Sequence, residues 1–382
     1  MDGFIEKISG ELARLENSGQ FRRLRETKVL PDGRAELDGR VYLNFSGNDY
    51  LGVAGDPQLR REFYREHSGD LPLLAATGSR LLGGDTPAHE KLEATLARLY
   101  GASALVFNSG YHANVGILPA LTGRDDAVFS DKLNHASIID GLRLCECKFH
   151  RYPHLDYDRL EAMLDEAWKE GRRSFIISES VFSMDGDTAD IPRLIELKKR
   201  FQAVLVIDEA HSVGVRGRDG LGMCAEFKDD VDVIVGTFGK AFGSAGAYCV
   251  TSRTIRDYLI NFMRPFIFST ALPPVVALWS DFVLNRMTGF ADRRRKLALL
   301  GDRVRAAVAA AGLRTLGDSQ IVPAIVGENA PALALAEKMR AAGLLTFAVR
   351  PPTVPVGSSR LRLSLSSALP DDTPERIAEA LK

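Results

Sequence analysis

The sequence contains few cysteines and no pattern that would pair them or bind a metal through them. Only four of its 382 residues are cysteine, far too few for a disulfide scaffold, and we expect all four to be reduced thiols. Cys145 and Cys147 are too close together to form a C-x-x-C redox motif. Because no further Cys/His pair completes a zinc site, the sequence predicts no metal centre.

Long apolar runs and excess charge are missing as well. No apolar run approaches the roughly 18 residues of a membrane span, and the first residues lack the basic and apolar regions of a secretory signal. The chain has 49 basic and 50 acidic residues, a formal net charge of -1, which provides no electrostatic footprint for nucleic acid or a membrane surface. We therefore expect a cytoplasmic protein that binds neither, and we interpret the basic run at residues 293–295 as a solvated helix face.

What the sequence does contain is an ordinary globular composition, with 45% apolar and 26% charged residues, enough for a large core. Its length leaves room for about two domains. Spaced apolar positions over residues 4–24 predict an amphipathic N-terminal helix. Residues 85–87 (DTP) predict the start of another helix, which we expect to run to Tyr100 and to end at Gly101.

Short apolar runs then recur, and each is followed by polar or glycine-rich residues. Continuous apolar runs of this length are typical of strands buried on both faces of a largely parallel sheet. Ligands bind at the strand ends of such sheets, so the polar residues are expected to share one edge. The runs cover residues 104–107, 175–177, 204–207, 233–235 and 247–250.

The pattern changes after about residue 285. A basic helix over 293–311 is followed by an apolar run at 321–326, a helix near 330–342, a strand near 344–349 and a further strand at 360–365. This alternation predicts a small α+β domain.

Three residues at the predicted strand ends suggest covalent cofactor chemistry. Lys240 lies in a loop with several glycines, which suits a lysine that forms a Schiff base. Asp208 directly follows a buried strand and would need a cationic partner, such as a protonated pyridine nitrogen. His211 could reach the phenolic oxygen of the same ring. Each residue alone also has a structural interpretation: a surface lysine in a turn, a strand-end cap and a structural histidine.

Further residues suggest a phosphate site and a ring-stacking group. Ser109, Gly110 and Tyr111 follow a strand and open a helix, whose first N–H groups bind phosphate well. Thr237 could add a hydroxyl, and His135 could stack on an aromatic ring. An ordinary helix cap at Ser109 and a capping or buried role for His135 remain open alternatives.

With these residues considered together, the chain resembles the α-oxoamine synthases of the fold-type I pyridoxal-phosphate superfamily over nearly its whole length. The motifs that carry the resemblance are residues 48–52 (NDYLG), 179–187 (ESVFSMDGD), 208–214 (DEAHSVG) and 237–243 (TFGKAFG).

The resemblance implies an α/β fold of the aspartate-aminotransferase type. Its large domain would contain a mostly parallel seven-stranded sheet, beside a small α+β C-terminal domain. The expected divisions are residues 1–50 (N-terminal helix and segment), 51–285 (pyridoxal-phosphate domain) and 286–382 (small domain). The implied catalytic residues are Lys240, His135, Asp208 and His211. The implied cofactor contacts are Ser109, Gly110, Tyr111, His135, Glu179, Ser183, Asp208, His211, Thr237, Lys240 and Thr270.

Residues 350–355 (RPPTVP) and 360–365 (RLRLSL) resemble the family members of biotin synthesis, which condense L-alanine with a pimeloyl thioester of coenzyme A or acyl carrier protein. The resemblance implies a homodimer with shared active sites, in which residues 267–274 reach the neighbouring site. It also implies that Arg362 holds the amino-acid carboxylate, for which bidentate pairing is well suited. The implied substrate contacts are Arg22, Asn48, Ser79, Thr353 and Arg362.

The chain departs from the family pattern at two places. Leu369 stands where a histidine is usual, and alanines occupy positions 75 and 76 in a stretch that is usually richer in glycine. The second departure lies near the expected acyl-donor site, so it bears on the substrate more than on the cofactor.

Alternatives within and outside the family remain. Siblings with another amino acid and acyl donor are 2-amino-3-ketobutyrate ligase, 5-aminolevulinate synthase, serine palmitoyltransferase-like enzymes and autoinducer synthases. Residues 208–211 (DEAH) also spell the acidic box of some helicases, but Ala241 stands where a phosphate loop needs Ser or Thr after its Gly-Lys pair. The last alternative is an inactive relative that serves as a scaffold. Such a protein would lack cofactor residues, and this chain has them, which argues against that alternative.

Overall fold

A computed structural model describes residues 2–382 and forms two compact units. The small unit comprises the chain up to Asn48, Met184–Gly186 and Lys296–Lys382, and the large unit comprises Asp49–Ser183 and Asp187–Arg295. The predicted three-part division at residues 50 and 285 stays a prediction.

The strands, in chain order, are β1 (Thr27–Val29), β2 (Arg34–Leu37), β3 (Arg40–Asn44), β4 (Ser103–Phe107), β5 (Ala127–Asp131), β6 (Lys148–Tyr152), β7 (Ser174–Glu179), β8 (Val204–Asp208), β9 (Val233–Thr237), β10 (Ala247–Thr251), β11 (Ile321–Gly327), β12 (Leu344–Leu345), β13 (Ala348–Val349) and β14 (Ser359–Ser364). The helices are α1 (Asp2–Asn17), α2 (Pro57–Glu66), α3 (Pro87–Tyr100), α4 (Gly110–Leu121), α5 (Ala136–Leu144), α6 (Tyr157–Lys169), α7 (Ile191–Phe201), α8 (Arg253–Phe262), α9 (Arg264–Ile267), α10 (Pro274–Leu284), α11 (Ala291–Ala310), α12 (Asn329–Ala341) and α13 (Thr373–Leu381).

The large unit contains the predicted seven-stranded sheet, in the order β4-β10-β9-β8-β7-β5-β6. β10 is antiparallel to both of its neighbours, and the strands from β9 to β6 are parallel. Every residue of β5, β7, β9 and β10 is buried, as expected of strands covered on both faces. Because β10 alone is reversed, the carboxyl ends of the other strands lie at one edge of the sheet.

Local signals place the helices that begin at this edge. Ser109 caps α4, and its hydroxyl oxygen accepts a hydrogen bond from the backbone N–H of His112. The side chain of His135 caps α5 by accepting from the N–H of Ser137. At the far end of α3, Gly101 takes the left-handed conformation (φ 65°) that ends the helix, which confirms the predicted stop.

The small unit contains two sheets, of order β1-β2-β3-β12 and β11-β14-β13. The predicted strand over 344–349 is wrong as a single element, because its two halves pair with different strands. Leu344 and Leu345 lie parallel to β3, and Ala348 and Val349 pair antiparallel with β14. Leu369 is fully buried, and its side chain lies against Gly33. An apolar residue therefore suits this position.

Two other sequence-based expectations are wrong. The N-terminal helix ends at Asn17 and not near residue 24, because Gly19 turns the chain with φ 64°. The run 293–295 is not a solvated face. Arg293 donates to the carbonyl of Leu51 and pairs with Asp56, and Arg294 donates to a carbonyl of the preceding turn. Only the third arginine is exposed.

Among residues 2–382, no helix is both long and apolar enough to cross a lipid bilayer.

Candidate active site

Lys240 lies at the end of a hydrogen-bonded chain of three side chains in the large unit. Its Nζ is 2.8 Å from Nε2 of His211, and Nδ1 of the same ring is 2.6 Å from the hydroxyl of Tyr50. Tyr50 is fully buried and His211 nearly so, whereas Lys240 is only half-buried. The amine is thus the accessible end of a fixed polar chain, an arrangement that suits a lysine able to exchange protons.

Asp208 ends β8 and is held by two donors. One carboxylate oxygen accepts from Nδ2 of Asn114 at 2.6 Å, and the other accepts from the backbone N–H of Ala210 at 2.8 Å. Asn114 also donates to the hydroxyl of Ser137. An ionised carboxylate offers about four acceptor sites, so Asp208 can accept a further cationic N–H while its orientation stays fixed.

Glu179 and His135 come together from the ends of β7 and the segment after β5. The Glu179 carboxylate accepts from the backbone N–H of His135. Burial and the nearby charge of Asp208 hold the pKa of Glu179 well above its usual range. Partial burial lowers the pKa of His135, and the positive charge of Lys240 lowers it further. The negative charge of Asp208 raises the same pKa but does not cancel the decrease. A low pKa keeps the imidazole neutral, and its exposed ring can stack on an aromatic ligand.

The residues predicted to form a phosphate site lie beside one another. A Cβ on Gly110 would lie 3.8 Å from the side chain of Thr237, so the start of α4 approaches the end of β9. The first N–H groups of a helix have no acceptor within it and attract an anion. Tyr111 is exposed, and its hydroxyl donates to Asp140, a hydrogen bond that raises the pKa of Tyr111.

The remaining predicted residues of the large unit lie in loops. Ser183 follows β7 and is half-buried. Thr270 is exposed, and its carbonyl accepts from Nδ2 of Asn108. The hydroxyl of Ser79 is buried and has no hydrogen-bond partner among residues 2–382. Two residues before it, Thr77 has φ 57°, which is rare for a β-branched residue.

Tyr50 and Asn114 are contacts that the sequence analysis did not assign to the site. A buried tyrosine and a helical asparagine are ordinary core residues when read singly. The available signal was their position: Tyr50 lies in the NDYLG motif, and Asn114 lies one turn after the predicted phosphate-binding N-terminus.

Glu209, which follows Asp208, is a buried carboxyl with a structural role. Its Oε1 accepts from the hydroxyl of Ser212 and from the backbone N–H groups of Met223 and Cys224. A side chain at position 222 would meet this carboxylate at 2.2 Å, so Gly222 is required there. Burial raises the pKa of Glu209 to about 7. Its hydrogen bonds hold the loop that follows His211.

The predicted substrate residues of the small unit form two pairs. Both terminal nitrogens of Arg362 lie 3.2 Å from Oδ1 of Asn48. Arg22 donates to the hydroxyl of Thr353 at 3.3 Å. Burial and the positive charge of Arg22 lower the pKa of Arg350. Two guanidinium groups thus lie near each other, and a bound anion would relieve their repulsion.

The large-unit site fits pyridoxal phosphate, the cofactor implied by the resemblance. Lys240 supplies the amine, and Asp208 retains acceptor capacity for a ring N–H. His135 offers an exposed ring face, and the start of α4 beside Thr237 suits the phosphate. Each group matches one part of the cofactor, and all of them come from the large unit.

Comparison with known proteins agrees with this fit. The family model described as aminotransferase class I and II matches residues 40–381. A similar relative is the 8-amino-7-oxononanoate synthase of Chlorobaculum parvum, which is 46% identical over 99% of this chain and 98% of its own. Another is the putative 8-amino-7-oxononanoate synthase of Haemophilus influenzae (strain 86-028NP), which is 43% identical over the whole of both chains.

Solved structures of the same family are also similar. A serine palmitoyltransferase variant from S. paucimobilis with a bound PLP–myriocin aldimine has a TM-score of 0.91 at 26% identity, covering 99% of this chain and 96% of its own. An 8-amino-7-oxononanoate synthase from Francisella tularensis has a TM-score of 0.75 at 29% identity, and the match covers 89% of this chain and 96% of its own. The chain therefore belongs to the aminotransferase class I and II family and, within it, to the α-oxoamine synthases, which use pyridoxal phosphate.

Proposed function

We propose that this protein condenses L-alanine with a pimeloyl thioester to give 8-amino-7-oxononanoate, carbon dioxide and the free carrier thiol. The observation that carries the proposal is the 46% identity, over nearly the full length of both chains, to a relative with that name. The carrier is coenzyme A or acyl carrier protein, and both present the same thioester.

Pyridoxal phosphate, when bound, withdraws electrons from the α-carbon of an attached amino acid and so makes its α-hydrogen acidic. Lys240 would hold the cofactor, and its amine would take up that hydrogen as a proton, as a general base. General acid–base catalysis contributes roughly 10²–10⁴-fold. His211, 2.8 Å from this amine, shares the proton and orients the lysine. Asp208 would hold the ring nitrogen in its protonated form, and Asn114 keeps Asp208 in place.

The small unit supplies the charges that this substrate pair requires. Arg362 would bind the alanine carboxylate, and Asn48 aligns both terminal nitrogens of Arg362. A pimeloyl chain ends in a second carboxylate, which needs a cationic partner when it leaves water. Arg22, beside Thr353 and close to Arg350, would be that partner. The acyl-site role of Ser79 is supported by its buried hydroxyl, which could bond a ligand.

Serine palmitoyltransferase activity is the second candidate, because the solved structure of such an enzyme matches this chain with a TM-score of 0.91. Its sequence identity is 26%, against 43–46% for the relatives named above. We therefore favour a dicarboxylic acyl donor.

We further propose a cytoplasmic homodimer with shared active sites. The location is supported by the four free thiols, which suit a reducing compartment. The dimer is supported by a groove of about 800 Å³ in the large unit, whose lining mixes apolar residues with Glu146 and Arg264. Exposed apolar side chains mark interaction surfaces. The exposed rings of Phe262 and Phe268 line the groove. Sedimentation of the purified protein would show a dimer, and a monomer at working concentration would refute this part.

Two experiments test the function. Product analysis with L-alanine, glycine and L-serine against pimeloyl, short and long uncharged thioesters should show fastest turnover for alanine with pimeloyl. Faster turnover of serine with a long uncharged thioester would favour the second candidate. Borohydride reduction should fix the cofactor on the peptide that contains Lys240, and label on another lysine would refute the site.

A further inference from the structure

His154 is a half-buried histidine outside the cofactor site whose ring joins two carboxylates. It lies in the turn between β6 and α6, and its Nδ1 is 2.9 Å from Oδ1 of Asp131. Its Nε2 is 2.8 Å from Oδ2 of Asp187. The side chain of Asp131 is fully buried, and those of His154 and Asp187 are about one-fifth exposed. All three residues belong to the large unit.

This geometry requires the charged form of the imidazole. A carboxylate only accepts hydrogen bonds, and a neutral imidazole carries one N–H, so both bonds form only when both ring nitrogens are protonated. Burial lowers the pKa of His154, but the hydrogen bonds to Asp131 and Asp187 outweigh it and raise the pKa to about 10. Other ionisable groups nearby are the phenols of Tyr152 and Tyr157, whose pKa values are raised by burial. Neither competes for the proton near pH 7.

The first carboxylate organises the segment that carries His135. Asp131 ends β5, and its two oxygens also accept from the backbone N–H groups of Leu133 and Leu155. His135 follows four residues after Asp131 in the chain, and the intervening Asn134 is anchored to the carbonyl of Ile177. The position of the stacking ring therefore depends on where Asp131 is held.

The second carboxylate organises the loop that carries Ser183. The carbonyl of Asp187 accepts from the N–H of Phe182 at 3.0 Å, and this bond closes the loop around Ser183. The ring of Phe182 packs edge-on against His154, with centroids 4.4 Å apart. The same imidazolium therefore contacts both ends of this loop, through an ion pair at Asp187 and a ring contact at Phe182.

We propose that His154 is a positioning residue for the cofactor: by bridging Asp131 and Asp187 it fixes the two segments that place His135 and Ser183. The inference rests on the proposed cofactor site. His154 itself touches neither Lys240 nor Asp208 in the contacts described above, so it acts through its two carboxylates. The alternative is a purely structural role, in which the ion pairs stabilise the large unit and leave the cofactor unaffected.

The test compares His154→Gln with His150→Gln as a matched control. His150 lies on the neighbouring β6, is exposed, and stacks on Phe129; it contacts neither carboxylate of the bridge. The glutamine keeps a polar side chain in both cases, and at position 154 it also removes the positive charge of the bridge. The measurements are the cofactor dissociation constant of the full chain, by absorbance titration, the wavelength of the bound cofactor's absorbance, and kcat.

We expect His154→Gln to weaken cofactor binding, shift the absorbance and lower kcat by about 10- to 100-fold, because small misplacements of positioned groups cost about that much. His150→Gln should match the wild type. If His154→Gln does not fold, Asp187→Asn replaces it, since the Asp131 pair remains. Loss of the Asp187 charge removes the ion pair that holds the Ser183 loop, so cofactor binding should weaken measurably.

The positioning role would be overturned if His154→Gln kept the wild-type dissociation constant, absorbance and kcat and only melted at a lower temperature. The same result in Asp187→Asn would overturn it where that variant is used. Cofactor binding by the wild-type protein distinguishes failure of the His154 inference from failure of the proposed function. If the wild type binds no cofactor at Lys240, the proposed site is wrong. If it does bind the cofactor there and the variants equal it, the inference about His154 alone is wrong.

Discussion

Replacing Tyr50 with phenylalanine would test the hydrogen-bonded chain that ends at Lys240. The tyrosine hydroxyl lies 2.6 Å from Nδ1 of His211 and is fully buried. The Tyr50→Phe change keeps the ring and its packing, so it creates almost no cavity and removes one interaction. The His211 ring then loses a hydrogen bond that helps to fix its orientation beside the Lys240 amine.

The size of the effect follows from that single hydrogen bond. A hydrogen bond between neutral groups contributes about 0.5–1.5 kcal/mol net. If this entire contribution serves to orient His211 in the transition state, kcat falls by about 2- to 13-fold. Stability also falls, because loss of a buried hydrogen bond costs about 0.5–1.5 kcal/mol.

Tyr100→Phe is the matched control for this measurement. Tyr100 is another buried tyrosine of the large unit, and its hydroxyl bonds to the carbonyl of Leu221 and to the hydroxyl of Tyr248. It touches none of the cofactor residues. Both variants should melt earlier than the wild type, and only Tyr50→Phe should lose turnover in a steady-state assay with saturating alanine and acyl thioester. Equal kcat in the two variants would refute the role of Tyr50.

Four further predictions follow from the site and the bridge. Asp208→Asn should keep part of its cofactor and lose most turnover; activity within about threefold of wild type, under roughly 1 kcal/mol, would contradict its role. Arg362→Leu should leave the cofactor absorbance intact and weaken apparent alanine affinity at least about tenfold, since charge-assisted hydrogen bonds are worth about 1.5–3 kcal/mol; unchanged affinity would place the carboxylate elsewhere. Arg22→Ala should slow pimeloyl thioester more than an uncharged thioester of similar length, and equal losses would exclude a distal-carboxylate contact. The folded-state pKa of His154 is raised from 6.5 to about 10, so its stabilisation is complete below pH 6.5 and disappears as the pH rises towards 10. The melting difference between wild type and His154→Gln should therefore narrow over that range, and a constant difference would contradict the charged bridge.

Much of the cofactor site could be predicted because its residues lie in short motifs at strand ends. Lys240, Asp208 and Thr237 each follow an apolar run of a parallel strand, and such strands bring their carboxyl ends to one edge. The helix start at Ser109 was also readable, since a serine that precedes a helix is a strong capping signal. The family resemblance then indicated the role of each residue.

Tertiary structure alone decided which polar groups hold those residues. Tyr50 is 161 positions from His211 in the chain, and Asn114 is 94 from Asp208, so no local pattern could pair them. The bridge at His154 likewise joins Asp131 and Asp187, which two helices and two strands separate in the chain. Arg293 was misjudged for the same reason, because its partners Leu51 and Asp56 are remote in sequence.

The sequence by itself therefore determined most of the buried strands of the large sheet, the edge at which the proposed cofactor site lies, and the lysine proposed to bind the cofactor. These depend on local hydrophobic periodicity, capping and chain direction, which short stretches of sequence encode. The tertiary structure decided the orientation of each reactive group and the charge state of His154. Orientation and ionisation depend on partners supplied by distant segments and on exclusion of water, and both arise only when the chain has folded.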